Sequence, residues 1–281
     1  MTNRAMILAR GLGTRMQKKV AGVTLNGPTA KLADQGAKGL IPIGRPFLDH
    51  SLQAMLEAGV RDFCLVVPPG ASAIRSYYEA VAGRLDEASI CFAEQAEPLG
   101  TANAVAAGSD WAGDRPFMLF NSDNFYTAST IVALASAPAP ATVAFEREAM
   151  IAKSNIPPDR IARFAALEID QDDCLVRIVE KPENPDDYLR DGKLYVSMNS
   201  FLFTPQIFAA CAAIDAHPQR GEYEITTAVQ HTIDRMNLRY HAIKCDEGVL
   251  DLTGRKDIES VRKMLAGHEI RFWAPDKVEA D

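Results

Sequence analysis

Three basic and two acidic side chains fall where apolar runs of this chain begin or end, and as a set they suit a polyphosphate and a metal ion. Arg15 closes Gly11-Leu12-Gly13-Thr14-Arg15, shortly after the apolar run 6–9. Glycines lack a Cβ, so backbone N–H groups there can approach an anion closely. The guanidinium fork of Arg15 matches phosphate oxygens. Lys38 opens the apolar, proline-containing run Gly39-Leu40-Ile41-Pro42-Ile43, and Lys181 lies in Ile178-Val179-Glu180-Lys181-Pro182. Asp123 follows the apolar run 117–120. A carboxylate beyond the carboxyl end of a strand is placed to hold Mg²⁺, which takes one or two protein carboxylates and fills its shell with phosphate and water. Asp251 stands inside Val249-Leu250-Asp251-Leu252, where a bare charge is costly and calls for a metal or a lysine. Each motif alone has an ordinary use as a turn, a cap or a surface lysine. Only the set is an inventory for a triphosphate, a divalent ion and a second phosphate.

Positioning these groups requires a scaffold, and the apolar periodicity supplies one. Strands are expected at 62–67, 89–93, 117–120 and 141–145, alternating with helices at 47–58, 71–83, 101–108 and 127–135. That alternation implies right-handed crossovers and a largely parallel sheet covered on both faces. The second half changes character. Runs 161–169 and 174–179 read as a hairpin through Asp170-Gln171-Asp172-Asp173, followed by strands at 196–203, 239–243 and 248–252. Helices are expected at 206–213, 224–236 and 255–265, and a short one near 29–35, capped by Thr29. The tail after Phe272 is polar and expected to fray.

Composition excludes several classes. A formal net charge of −7 argues against a nucleic-acid binder with a broad basic face. The five cysteines are scattered without a Cys-x-x-Cys pair, and no histidines are spaced as zinc ligands. No apolar stretch approaches membrane-spanning length and no basic-then-apolar leader opens the chain, so a cytoplasmic protein with no membrane association is expected.

In their co-linear order these motifs resemble the sugar-phosphate nucleotidyltransferases, both the glucose-1-phosphate thymidylyl- and uridylyltransferases and the mannose-1-phosphate guanylyltransferases. Residues 8–16 are similar to that family's Gly-Gly-x-Gly-Thr-Arg loop, and 38–43 to its lysine segment. Gln95-Ala96-Glu97-Pro98-Leu99-Gly100-Thr101-Ala102 resembles its base turn. Asn121-Ser122-Asp123-Asn124 and Leu250-Asp251-Leu252-Thr253 resemble its two metal aspartates. Glu180-Lys181-Pro182 and Gly221-Glu222-Tyr223-Glu224-Ile225-Thr226 resemble its sugar-side motifs. The resemblance implies a Rossmann-like α/β fold with a mixed, mostly parallel sheet and helices on both faces. It implies one domain over 1–267, with a nucleotide part at about 1–125, a sugar part at about 126–267, an insertion at 17–37 and a tail at 268–281.

It also implies roles. Gly11, Gly13 and Thr14 would cradle the triphosphate, with Arg15 on its β and γ groups and Lys38 near the α-phosphate. Gln95 and Gly100 would meet the base, Asp123 and Asp251 would hold Mg²⁺, and Asn124 would bind substrate. Glu180 would take sugar hydroxyls, Lys181 the sugar phosphate, and Asn199 would line the sugar pocket. The partners implied are a nucleoside triphosphate, pyrimidine favoured and GTP open, and a sugar 1-phosphate, glucose favoured and a cyclitol open. Homo-oligomers are common in that family, and no interface is legible in this chain. The reaction needs no general base, because a phosphate monoester with a second pKa of about 6 is already an ionised nucleophile at neutral pH.

Two departures stand out. Arg10 replaces a small residue, so that either the loop meets phosphate differently or Arg10 points outward. The stretch 17–37 is longer than usual, and reads either as a flap over the nucleotide carrying Lys18, Lys19 or Lys31, or as a solvated insertion. These departures leave open a second reading, a catalytically weak nucleotide-sugar-binding regulatory subunit. A nicotinamide-binding dehydrogenase fits poorly, since Met16 stands where a third glycine belongs and no acidic residue ends a strand about 20 positions on.

Overall fold

Strands that read as continuous apolar runs, with no polar alternation, are buried on both faces. A computed structural model describes residues 1–85, 87–180 and 182–272. It builds one ten-stranded sheet from β1 (Arg4–Leu8), β2 (Asp62–Val67), β3 (Ser89–Glu94), β4 (Phe117–Asn121), β5 (Ala141–Glu146), β6 (Ala166–Ile169), β7 (Cys174–Val179), β8 (Tyr195–Val196), β9 (Phe201–Phe203) and β10 (Tyr240–Cys245). The order is β8-β6-β7-β10-β5-β9-β4-β1-β2-β3. The pairings make β7, β8 and β9 run against all the others, so the sheet is mixed and mostly one-directional, as expected.

Side chains alternate across this sheet. Ala5, Ile7, Phe63, Leu65, Val67, Met118 and Phe120 face one core, covered by the helices Phe47–Glu57, Ala73–Ala82 and Ala128–Ser136. Met6, Cys64, Val66, Phe117 and Leu119 face the other, under Thr101–Ala107, Gln206–Ala213 and Ile225–Met236. The antiparallel pairing of β9 with β4, Phe201 opposite Leu119, joins the two halves of the chain in one sheet.

Four local differences from the sequence reading have physical causes. The helix at Gly27–Asp34 is capped by Asn26, whose side chain accepts from Thr29 N at 3.1 Å, with Pro28 in its first turn. The expected strand 161–169 is shortened to β6, because Pro157-Pro158 starts a one-turn helix, Pro158–Ile161. The expected strand 196–203 splits into β8 and β9, interrupted where Asn199 takes a left-handed conformation at φ 54°. Residues 268–272, assigned to a tail, are docked: Gln53 Oε1 accepts from Arg271 N and Phe272 N at 2.9 and 3.3 Å. The expected fraying of 273–281 lies outside the described residues.

The same docking rests on a pair of histidines. His50 Nε2 meets the Ile43 carbonyl at 3.1 Å, and since that carbonyl can only accept, Nε2 carries the proton. Its bare Nδ1 faces His268 Nδ1 at 3.1 Å and accepts from it. Burial pulls His50 down to about 4 and lowers His268 as well. A histidine held neutral in the fold but titrating near 6.5 when unfolded contributes stability that is complete above about 6.5 and lost as pH falls toward 4. Acidification from pH 7 to pH 4.5 should therefore remove about 2 kcal/mol through His50, after allowance for solvent screening. Thermal unfolding of His50→Gln should show a visibly shallower fall in Tm over that range, and an unchanged slope would contradict this assignment.

Candidate active site

At the carboxyl end of β1 the chain leaves the sheet through Ala9 to Gly13 and turns into the short helix Thr14–Gln17. Gly13 is left-handed at φ 61°, and a Cβ on it would sit 2.4 Å from the Gly36 carbonyl oxygen. Gly36, at φ 71°, would in turn clash with the Leu12 carbonyl at 2.3 Å. Two backbones therefore pack directly on one another, and the end of the 17–37 stretch is seated against the loop. Buried Arg255 ties down both ends of that stretch. It donates to the carbonyls of Met16 and Gln17 at 2.9 and 3.1 Å and pairs with Asp34. Gln35, Gly36 and Ala37 line the adjacent cleft, whereas Lys18, Lys19 and Lys31 are exposed and outside its lining. The stretch is a wall fixed at both ends, and its lysines do not reach the cleft.

The Arg10 side chain turns toward the base-turn motif. Its Nε donates to the Gln95 carbonyl at 2.6 Å and its Nη2 to the Ala96 carbonyl at 2.9 Å, fastening the glycine loop to the 95–101 turn. Within that turn, buried Gln95 donates from Nε2 to the Gly100 carbonyl at 3.1 Å and to Asn103 Oδ1 at 2.8 Å. A carbonyl only accepts, so the amide nitrogen is fixed on Gly100, and Oε1 is the end available to a ligand N–H. Gly100 needs to be glycine: at φ 109° a Cβ would lie 2.5 Å from the Tyr223 oxygen. Tyr223 N donates to Leu99 O at 2.7 Å, Ala102 N to Tyr223 O at 2.9 Å, and Ile225 N to Thr101 Oγ1 at 2.9 Å. The base-turn and 221–226 motifs are thus zipped together.

Asp123 follows β4. Beyond it, Asn124–Phe125 pairs antiparallel with Leu250–Asp251, and Leu252 N donates to the Asp123 carbonyl at 2.9 Å. The two aspartates therefore stand on neighbouring rungs. Each carries a cation from the chain: Lys38 Nζ on Asp123 and Arg160 on Asp251. Asp251 is 5% exposed and also accepts from Thr253 Oγ1 at 2.9 and 3.0 Å and from Asn124 Nδ2 at 3.4 Å. Arg160, half-buried, lies 3.7 Å from Asp257. Burial lowers its pKa, Asp257 opposes this, and Arg15 lowers it further. The hard oxygen donors of Asp123 and Asp251 suit Mg²⁺, and the two lysine and arginine partners show that this pair of carboxylates requires positive charge. Among the described residues no group of three or more His, Cys, Asp or Glu side chains gathers as a metal cluster.

A cleft of about 670 Å³ gathers Gly11, Gly13, Thr14, Arg15, Lys38, Gln95, Gly100 and Asp123. Other expected residues lie apart from that lining. Asn124, expected on the substrate, is buried. Its carbonyl accepts from Ser51 Oγ at 3.1 Å and its side chain joins Asn121 to Asp251, so it braces the Asp251 carboxylate. Glu180 is exposed, accepting from Thr226 Oγ1 at 3.2 Å, and Asn199 is half-buried at the break between β8 and β9. Lys181 lies outside the described residues. Arg160 was missed by the sequence reading, and its only signal is the Pro157-Pro158 helix start just before the expected strand 161–169.

The comparisons with known proteins agree with this geometry. A sequence model described as nucleotidyl transferase matches residues 4–268. A glucose-1-phosphate thymidylyltransferase of Streptomyces antibioticus is 30% identical over 236 residues, covering 82% of this chain and 57% of that protein. The catalytic subunit beta of mannose-1-phosphate guanylyltransferase from Drosophila pseudoobscura pseudoobscura is 25% identical over 233 residues, covering 80% of this chain and 54% of its own length. The chain thus spans little more than half the length of these curated relatives. Among solved structures, the inositol-1-phosphate CTP transferase from T. maritima superposes with a TM-score of 0.69 at 15% identity, covering 97% of this chain and 98% of that one. That likeness is one of fold. With the family model spanning nearly its whole described length, the chain belongs to the nucleotidyl transferase family.

Proposed function

We propose that this chain is a cytoplasmic, Mg²⁺-dependent sugar-1-phosphate nucleotidyltransferase that converts a nucleoside triphosphate and a sugar 1-phosphate into a nucleotide sugar and pyrophosphate. One observation carries the reading: the glycine loop, Arg15, Lys38, Gln95 and Asp123 all line one cleft beyond the carboxyl ends of parallel strands β1 and β4. The backbone of Gly11, Gly13 and Thr14 would cradle the triphosphate, with Arg15 on the departing β and γ groups and Lys38 offsetting charge at the α-phosphate. Asp123 and Asp251 would hold Mg²⁺, which when bound supplies Lewis-acid neutralisation of the phosphate oxygens. The sugar-phosphate oxygen attacks the α-phosphorus in line. The new O–P bond forms as the bond to the bridging oxygen of the pyrophosphate breaks, and that oxygen keeps the electron pair. Positioning and charge neutralisation supply the rate, and no proton needs to be removed from the nucleophile.

Glu180 would take sugar hydroxyls, Lys181 the sugar phosphate, and Asn199 would line the sugar pocket. Gln95 Oε1 would read a ligand N–H, which suits dTTP or UTP, the favoured donors. GTP offers an N–H as well and belongs in the test. Incubation with MgCl₂, a panel of triphosphates and a panel of glucose, mannose and cyclitol phosphates should release pyrophosphate for a matched pair. Silence across the panel would contradict the enzyme reading and favour a binding subunit.

With that pair identified, Lys38→Ala and Asp123→Asn should each lower kcat/KM by about 10²- to 10³-fold, the scale for losing one electrostatic contact in a preorganised site. Steady-state kinetics with less than a fivefold loss for both would remove them from the reaction centre. Arg10 holds the turn carbonyls of Gln95 and Ala96, so Arg10→Ala should raise KM for the nucleotide about tenfold while kcat stays within threefold. An equal fall in kcat and kcat/KM would instead put Arg10 on the transition state.

A further inference from the structure

Arg160 is absent from the set of groups the sequence pointed to, yet it occupies the partly buried centre of the acidic site. Its segment is fastened at both ends. Asn155 bonds both backbone groups of Asp251, accepting from its N at 2.8 Å and donating to its carbonyl at 2.9 Å. Ile161, fully buried, anchors the short helix on the other side. Between these anchors the Arg160 guanidinium reaches the Asp251 carboxylate through Nη2, while Nη1 stays 3.7 Å from Asp257 Oδ2. Asp257 is itself held by Gly254 N at 2.7 Å. The Arg160 side chain is 22% exposed and that of Asp251 7%. Asp123 and Arg15 are close enough to act electrostatically on the guanidinium.

Two facts of chemistry follow. A buried carboxylate without a counter-ion is costly, so some cation must hold Asp251 whenever no metal does. A carboxylate oxygen bonded by a guanidinium has surrendered lone-pair capacity that a hard metal ion needs. Resting on the reading that Asp251 is a metal ligand, we infer that Arg160 is a built-in counter-ion that competes with the divalent cation for Asp251 and yields it by shifting onto Asp257. The chain then carries two seats for one guanidinium. The metal-free protein keeps Asp251 neutralised and correctly aimed. Loading of a divalent ion releases Arg160 to Asp257, close to Arg15 and the cleft. The cost of displacing it makes the nucleotide-free protein a weak metal binder and favours entry of the ion together with the triphosphate.

The test is Mn²⁺ binding to the full chain without nucleotide, read by electron paramagnetic resonance of the free ion. Arg160→Gln should bind Mn²⁺ at least tenfold more tightly than the native chain, and Arg160→Lys should stay nearer the native value. Asp257→Asn removes the second seat, leaves Arg160 on Asp251, and should weaken Mn²⁺ binding. In the Arg160→Gln background the same Asp257 change should have little effect, because it acts through Arg160. Unchanged or weaker binding by Arg160→Gln overturns the inference. So does an Asp257→Asn effect of equal size in both backgrounds. If Arg160→Gln fails to fold, the Arg160→Lys and Asp257→Asn measurements decide it: an Asp257→Asn chain that binds Mn²⁺ as the native one does overturns the exchange. Asp251→Asn separates the two readings, since native-like Mn²⁺ binding there would show that Asp251 holds no metal and would overturn the metal reading itself.

Discussion

Two carboxylates from distant parts of the chain stand on adjoining rungs of one short ladder, each paired with a cation of the chain, and much of the site is arranged around that charge pairing. The short pairing of Asn124–Phe125 with Leu250–Asp251 brings Asp123 and Asp251 to neighbouring rungs. Neither carboxylate is fully solvated, so their charges cannot simply be left to water. Lys38 and Arg160 answer this from two different segments, one immediately after the 17–37 stretch and one in the Pro158–Ile161 turn. Asn124 and Thr253 then fix the orientation of Asp251 through hydrogen bonds. Of the two cations only Lys38 lines the cleft, so it carries positive charge where an anionic ligand would enter, while Arg160 lies behind it between Asp251 and Asp257.

The remainder of the cleft is a set of backbone clamps that hold its walls together. Gly13 against Gly36 joins the loop to the 17–37 stretch, and Gly100 against Tyr223 joins the base turn to the second half. Arg10 adds a side-chain clamp between loop and base turn. Each clamp crosses between segments far apart in sequence, so the cleft's shape depends on the common sheet beneath it. The junction of β4 with β9 keeps those walls on one rigid platform.

The sheet was legible because its strands are continuous apolar runs, and their burial on both faces leaves no competing assignment for 62–67 or 117–120. The cleft residues from the glycine loop to Asp123 were legible for a related reason: strand ends and glycine-bearing turns are local features. What escaped the sequence reading depends on tertiary proximity. Arg10 finds the carbonyls of residues 95 and 96 only once β1 and β3 lie at their places in the sheet. Arg160 sits in a one-turn helix started by a proline pair just ahead of the strand-like run 161–169, and four residues carry no apolar period to mark it. Asn124 sits beside Asp123 in a ligand-like motif, yet the pairing with Leu250–Asp251 turns it inward.

The central claim is that Asp123 and Asp251 jointly hold the ion that bridges to the triphosphate. Anomalous diffraction from crystals grown with Mn²⁺ and a non-hydrolysable triphosphate analogue tests it most directly. The account predicts one strong anomalous peak at coordination distance from both carboxylates and a phosphate oxygen, with Lys38 and Arg160 withdrawn from them. A peak elsewhere in the cleft, or an occupied nucleotide site in which both aspartates keep their lysine and arginine partners, would contradict it.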